Sequence, residues 1–321
     1  MKIAIYRIGR PVVPVDRRSY LRQAARLVAG ISIFPASALS SVGQAASIRR
    51  VAIPGTRDAI PVIGMGTWLT FNVPIRGTVF AQRLDVLRRF FELGGGLIDS
   101  SPMYGNAEAV IGAGLSSIEP SGDKVFSATK VWSAQDEGGR QQFENSFRLW
   151  SREKFDLQQV HNLVNWRDHL KMLRQAKEAG RIRYLGVTTS HGRRHGELRR
   201  ILETEPLDFV QLTYNASRTD AEPLIELAAD RGVAVIANRP LGGGRLIDRL
   251  QRDSLPAWAI DAGIHDWPDF LLRWIVSHPG VTCAIPATTQ VAHMEENMRS
   301  GYRPVLAPGL RERMRRYVAA I

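Results

Sequence analysis

The chain reads as an α/β protein, a (β/α)8 TIM barrel entered through a short N-terminal β-hairpin. Two observations predict this. Short apolar runs of strand length alternate with stretches of helical periodicity through most of the 321 residues, and the runs number eight. No Gly-x-Gly-x-x-Gly follows the first run, so an open doubly wound sheet lacks its best signature.

The hairpin is expected over Arg50–Pro61, with Gly55 and Asp58 in its turn. The strands follow at Val62–Met65, Leu97–Asp99, Val125–Lys130, Leu157–His161, Tyr184–Val187, Phe209–Leu212, Val233–Ala237 and Val281–Ile285. They are largely apolar, as suits a parallel sheet covered on both faces. Between them Leu84, Leu87 and Phe91 recur at helical spacing and end at Gly94, Leu170, Leu173 and Ala176 end before Gly180, and Leu224, Leu227 and Ala228 before Gly232. A glycine just past a helix is the residue that tolerates the left-handed turn there. The segment Ile247–Asp266 is polar in its first half and reads as a lid or insertion.

Three strands end on a polar group that a buried strand should not carry. Asp99 closes the second, Lys130 the third and His161 the fourth, and Tyr104 follows Asp99 by five residues on the next loop. Polar groups at the ends of several barrel strands point to one shared site. A phenol with a pKa near ~10 is a poor proton donor to a carbonyl oxygen, and a nearby ammonium lowers that pKa. Lys130 is expected to supply the ammonium, Asp99 to keep it protonated, and His161 to hydrogen-bond the substrate oxygen. The loops after the seventh and eighth strands, Pro240-Leu241-Gly242-Gly243-Gly244 and Pro286-Ala287-Thr288-Thr289, are the usual phosphate-binding loops of such barrels.

From about Ile48 to Gly301 the chain resembles the aldo-keto reductase family. Gly64-Met65-Gly66-Thr67-Trp68 is similar to the family's first barrel strand, Asp99-Ser-Ser-Pro-Met-Tyr104-Gly to its active-site signature, Lys130 to its catalytic lysine and Asp156-Leu-Gln-Gln-Val-His161 to its histidine strand. The resemblance implies hydride transfer from NADPH to a small aldehyde or ketone with Tyr104 as general acid and Asp99, Lys130 and His161 beside it. It carries Thr188, Thr189 and Gln211 onto positions that hold the nicotinamide carboxamide, and Glu296 with Asn297 onto those that hold adenine. Thr67, Trp68, Pro240, Leu241, Gly242, Gly244, Thr288 and Thr289 complete the implied cofactor set.

Two departures from the family pattern stand out. Asn238, followed by Arg239, occupies the place where the family commonly stacks a tyrosine on the nicotinamide. Ala287 and His293 occupy the places of the lysine and arginine that often grip the 2′-phosphate, which leaves NADH usable. An alternative reading is a nicotinamide-binding sensor or accessory subunit with little turnover. Trp68 and Trp132 are expected near the pocket mouth, as substrate walls or as rim packing.

The net charge is +12. Residues 1–46 hold seven basic residues and one acidic one, so half of that charge belongs to the N-terminal segment. The remaining basic clusters, Arg193-Arg194 with Arg199-Arg200 and Arg311 to Arg316, lack interleaved aromatics and read as solvated helix faces; no nucleic-acid partner is expected. The single cysteine, Cys283, reads as a buried core thiol. The seven histidines show no metal-binding spacing, and no metal is expected.

Arg17-Arg18-Ser19-Tyr20-Leu21-Arg22 resembles a twin-arginine export signal. The run Leu27–Val42 that follows is too weakly apolar for a membrane span, so no stable insertion of the mature chain is expected. Ala45 and Ala46 offer small residues for cleavage, which gives residues 1–46 as a signal peptide and 47–321 as the barrel. The twin-arginine translocase is then a partner during export and the destination is periplasmic or extracellular, the alternative being a cytoplasmic enzyme with a spurious leader.

Overall fold

The computed structural model describes residues 47–120 and 124–321. The expected export signal and its cleavage site before Ser47 lie outside the described residues.

A two-stranded antiparallel hairpin, β1 (Arg50–Ala52) and β2 (Ala59–Pro61), leads into eight parallel strands. These are β3 (Met65–Gly66), β4 (Leu97–Asp99), β5 (Phe126–Val131), β6 (Phe155–Val160), β7 (Ile182–Thr188), β8 (Phe209–Thr213), β9 (Ala234–Asn238) and β10 (Cys283–Ala284), paired in sequence order. The ring closes because Ala284 N donates to Val62 O, Gly64 N to Ala284 O and Gly66 N to Pro286 O, at 2.9–3.0 Å. The first and last strands are shorter than expected because they meet through a single bridge, Ile63 with Ala284, rather than a continuous ladder.

Helices α1 (Thr78–Glu92), α2 (Ala107–Ile118), α3 (Asp136–Trp150), α4 (Trp166–Glu178), α5 (His195–Thr204) and α6 (Glu222–Asp230) alternate with the strands. In α1 the residues Val86, Leu87 and Phe90 make the buried stripe. The helix stops at Gly94, whose φ of 72° is the left-handed turn only glycine takes without strain, and Gly94 N donates to Phe91 O. After β9 the chain adds α7 (Arg245–Leu250) and α8 (Ala257–Asp261) before α9 (Trp267–Val276), α10 (Val291–Arg299) and α11 (Pro308–Ala320). The segment read as a lid is therefore two short helices, with Leu250, Ala259 and Ile264 buried. Among the described residues no helix is long and apolar enough to cross a membrane.

The basic clusters are more integrated than a solvated face. Arg311 donates through Nε to Trp274 O at 2.9 Å and through Nη2 to the Tyr214 hydroxyl at 2.5 Å, tying α11 to the barrel wall. Arg315 pairs with Glu312 and Arg194 with Glu197.

Alternation along each strand divides the sheet between two cores. One set packs outward against the helices. The other fills the barrel floor with Leu97, Phe126, Leu157, Tyr184, Phe209, Ile236 and Cys283, and Ile53 and Ile60 of the hairpin plug it from below. The Cys283 thiol sits in that floor, and burial pushes its pKa up. Asp58 of the hairpin turn holds the plug in place by pairing with Arg183 and with the Tyr184 hydroxyl. Because the floor is apolar, the polar residues that also point inward collect at the opposite, C-terminal end of the strands, and this puts Asp99, Lys130, Gln159 and Gln211 in one place.

Gln158 breaks the outward pattern. It is fully buried on β6 between Thr129 and Leu185, and neither its amide nitrogen nor its oxygen has a protein partner. An unpaired buried amide costs about 1–3 kcal/mol. Gln158→Met, similar in volume and without the amide, should raise stability by about 1 kcal/mol, or ~2–4 °C in Tm. A lower Tm on thermal denaturation would show that the amide is satisfied, for instance by buried water.

Candidate active site

The loop after β4 is built to hold a tyrosine. Ser101 caps a 3-10 turn, Pro102–Tyr104, its hydroxyl accepting Met103 N at 3.4 Å, and Pro102 enters the turn with its φ already set. Gly105 has φ 62°, and a Cβ there would lie 2.3 Å from Asn72 Oδ1. That oxygen instead accepts Asn106 N at 2.9 Å, so the loop after β3 clamps the tyrosine loop. The Tyr104 ring meets His161 edge-on, with centroids 5.8 Å apart and planes at 85°.

Lys130 projects inward from β5 with no exposed side-chain surface. Its ammonium donates to Asp99 Oδ2 at 2.5 Å and to Ser100 O at 2.6 Å, and lies 5.1 Å from the centre of the Tyr104 ring. The other carboxylate oxygen of Asp99 accepts Gln211 Nε2 at 2.9 Å and Gln159 Nε2 at 3.2 Å. Thr67 Oγ1, 3.0 Å from Asp99 O and from Ser100 Oγ, braces the strand end from β3.

Burial works against the Lys130 ammonium, yet the charge of Asp99 leads the influences that outweigh it and raise its pKa above the ordinary lysine value. For Tyr104 the balance runs against the expectation that Lys130 would lower its pKa. Burial pushes the phenol up, and the pull of Lys130, though next in size, does not overcome it. The phenol therefore keeps its proton at neutral pH. Burial first and the Lys130 charge second push the His161 imidazole down to about 2, so this ring is neutral.

A neutral imidazole carries one N–H, and Ser101 fixes which. His161 Nδ1 lies 3.0 Å from Ser101 Oγ. The only other partner of that buried oxygen is Met103 N, itself a donor, so Nδ1 is the one acceptor in reach of the hydroxyl proton, and the ring N–H then falls on Nε2. The residues after His161 adopt left-handed backbone at Asn162, Leu163 and Asn165, a conformation costly for leucine and held by Asn162 N donating to Thr188 Oγ1 at 3.0 Å.

These groups open into a cavity of about 620 Å³ over the barrel mouth. Asp99, Tyr104 and His161 line it, and Lys130 stands behind them. Of the residues expected to hold cofactor, Thr67, Trp68, Thr189, Gln211 and Asn238 line its inner part, Pro240, Leu241 and Gly244 one side, and Thr288, His293, Glu296 and Asn297 the far end. Three do not reach it. Thr188 spends its hydroxyl on Asn162, Gly242 faces a neighbouring cavity, and Thr289 is turned to solvent while its carbonyl accepts Arg83. Trp132 is also absent from the wall, and its backbone is tied to the Gln142 side chain.

The cavity has features that suit a dinucleotide. Thr189 Oγ1 is buried on the wall without a partner, as a hydroxyl awaiting an amide would be. Gly243 and Gly244 have φ 72° and 91°, and a Cβ on Gly244 would face open space, so this backbone is free to approach a phosphate. Asn238 offers no aromatic face: it donates to Thr189 O at 2.9 Å and accepts from Thr213 at 2.6 Å. Trp68, whose ring lies 5.0 Å from the Arg239 guanidinium carbon, is the aromatic surface on the cavity wall.

Residues 62–307 match the model of the Aldo/keto reductase family. The chain is 28% identical over 250 residues to methylglyoxal reductase YeaE of Escherichia coli (strain K12), covering 74% of this chain and 84% of that protein. To the NADH-specific methylglyoxal reductase of the same organism it is 25% identical over 243 residues, covering 66% and 73%. An aldo/keto reductase from Klebsiella pneumoniae, solved in complex with NADP and acetate, aligns with a TM-score of 0.70 at 25% identity over 83% of this chain and 94% of that chain.

The His161 environment makes a direct prediction. The folded chain binds fewer protons at this ring than the unfolded chain between pH 6.5 and about 2, so the ring's contribution to stability is complete above pH 6.5 and is lost as pH falls through that window. In side-chain ¹⁵N NMR, His161 should not titrate between pH 5 and 8 and should show the Nε2–H tautomer. A midpoint near the ordinary histidine value would contradict the assigned burial.

Proposed function

Because the chain belongs to the aldo/keto reductase family, we propose that it reduces small aldehydes or ketones to alcohols with NAD(P)H, Tyr104 giving the proton. The observation that carries this reading is the geometry at the cavity: the Lys130 ammonium, paired with Asp99, lies 5.1 Å from the Tyr104 ring centre, and His161, held through Nδ1 by Ser101, meets that ring edge-on.

When bound, the reduced nicotinamide supplies hydride to the carbonyl carbon. The residues of this chain handle the oxygen. His161 Nε2–H donates to the carbonyl oxygen and orients it. As negative charge builds there, Tyr104 transfers its proton, and the Lys130 ammonium, 5.1 Å from the ring centre, stabilises the phenolate that remains. Asp99 keeps that ammonium in place, held in turn by Gln159 and Gln211. Solvent returns the proton to Tyr104. The residues that would hold the cofactor are Thr189 at the carboxamide, the Gly243–Gly244 backbone at the pyrophosphate, and Thr288, His293, Glu296 and Asn297 at the adenosine end.

NADPH is the preferred cofactor in this reading, with NADH usable because Ala287 and His293 stand where the family's lysine and arginine would grip the 2′-phosphate. One similar chain is named an NADH-specific methylglyoxal reductase and another was solved in complex with NADP, which supports keeping both cofactors in the proposal. The complete proton-donating set favours a reductase over a cofactor sensor.

Residues 1–46 are proposed as a twin-arginine export signal, read by the translocase at Arg17-Arg18, which places the mature enzyme in the periplasm or outside the cell. Cleavage before Ser47 would spare Ile48, whose side chain packs over Gly94 and Gly301.

Tyr104→Phe should lower turnover by about 10²–10⁴-fold and leave NADPH binding, read by fluorescence titration, unchanged. Ser101→Ala should lower it by about tenfold through loss of the tautomer bond. Full turnover in Tyr104→Phe would remove the tyrosine from its role. N-terminal sequencing of the secreted protein should begin at Ala46 or Ser47, and an intact Met1 would refute export with cleavage.

A further inference from the structure

The loops after β7, β8 and β9 enclose a second cavity of about 340 Å³. Arg218, Arg239, Arg245 and Arg249 line it together with His191 and Thr213, and no aspartate or glutamate does. Several other surface arginines are matched, Arg194 with Glu197, Arg299 with Asp266 and Arg181 with Glu144. Among the described residues none of the four cavity arginines makes an ion pair. Arg218 donates to His191 O at 2.8 Å, Arg249 to Val318 O at 3.3 Å, and Arg249 Nε is buried without a partner. Asp220, beside Arg218, lies 3.6 Å from His195.

Four guanidinium groups brought together without a carboxylate repel one another. Burial lowers the pKa of Arg239, and the charges of Arg245 and Arg218 lower it further. His191 is pushed down by burial and then by Arg239, Arg193, Arg218 and Arg245. An oxyanion with planar, bidentate acceptors would relieve this repulsion.

Two residues join this cavity to the catalytic one. Arg239 and His191 line both, and Arg239 is near enough for its charge to act on Tyr104. The residues at the far end of the catalytic cavity, Thr288, His293, Glu296 and Asn297, line only that cavity. The arginine cavity therefore shares no residue with the proposed adenosine end, and the turn divides between the two, Gly242 lining the arginine cavity and Gly243 and Gly244 the catalytic one.

We propose that the arginine cavity is an anion subsite that takes the carboxylate or phosphate-monoester end of a carbonyl substrate whose oxygen lies at Tyr104, so that the preferred substrate is an anionic aldehyde or ketone. The substrate part of this inference rests on the reductase reading; the anion site does not. Neutral carbonyls enter the same catalytic cavity and lose only the tail contact.

The test uses the full chain and its Arg218→Ala/Arg245→Ala variant, both changes at exposed side chains outside the catalytic set. Calorimetric titration with inorganic phosphate should give saturable binding, weakened about tenfold or more in the variant and by salt. With NADPH supplied, 4-carboxybenzaldehyde should show a KM about tenfold below that of 4-methylbenzaldehyde. The variant should close that gap with kcat for the neutral aldehyde and the NADPH Kd unchanged. Absence of phosphate binding together with equal KM values overturns the proposal. A variant that loses NADPH affinity while keeping the KM gap also overturns it, by assigning the arginines to the cofactor. Phosphate binding lost in the variant, with neither aldehyde reduced by the parent chain, upholds the anion site and overturns the reductase reading.

Discussion

The buried pair of Asp99 and Lys130 is the constraint around which the barrel mouth is arranged. Neither charge reaches water, and a buried charge left alone costs about 3–5 kcal/mol when its partner is removed. The pair is held by groups that several strands contribute. Gln159 comes from β6, Gln211 from β8, the Ser100 carbonyl from the end of β4, and Thr67 from the turn after β3. A two-residue ion pair thus depends on the register of much of the sheet. A slip of one residue in any of these strands would turn its polar group out among the helices.

That dependence explains why the barrel is apolar below and polar above. The hairpin residues Ile53 and Ile60 close the floor, and Asp58 locks the plug onto β7. With water excluded from beneath, the electrostatics of the mouth are set by protein groups alone. The same exclusion strengthens each interaction there and makes each unmatched group costly.

Much of this was legible in the sequence, and the reasons differ by residue. Asp99, Lys130 and His161 announce themselves because each ends an apolar run, and Tyr104 because a short turn ties it to Asp99. Gln159 stayed hidden because Gln158 precedes it, and a polar pair reads as strand surface. Its parity with Leu157 and His161 was the available signal. Thr188 and Thr289 were assigned by position alone; the Thr188 hydroxyl bonds the Asn162 backbone, and Thr289 is exposed and absent from the cavity wall. The arginine cavity could not be read in the sequence, since Arg218, Arg239, Arg245 and Arg249 come from separate loops that only the closed barrel brings together.

The pKa of Tyr104 shows most clearly what spacing cannot supply. A neighbouring ammonium is visible in a motif, but the cost of taking a phenolate out of water is not, and here that cost is the larger. One environment then acts on three groups in three ways. Burial keeps the proton on Tyr104, removes it from His161, and would remove it from Lys130 if Asp99 were not 2.5 Å away. A phenol ready to give a proton, a neutral imidazole that donates from Nε2 while Nδ1 stays with Ser101, and a fixed positive charge behind both follow from one desolvated site and one carboxylate. On this account the ion pair defines the chemistry more through the protonation states it permits than through its contribution to stability, since a buried pair costs about as much to desolvate as it returns.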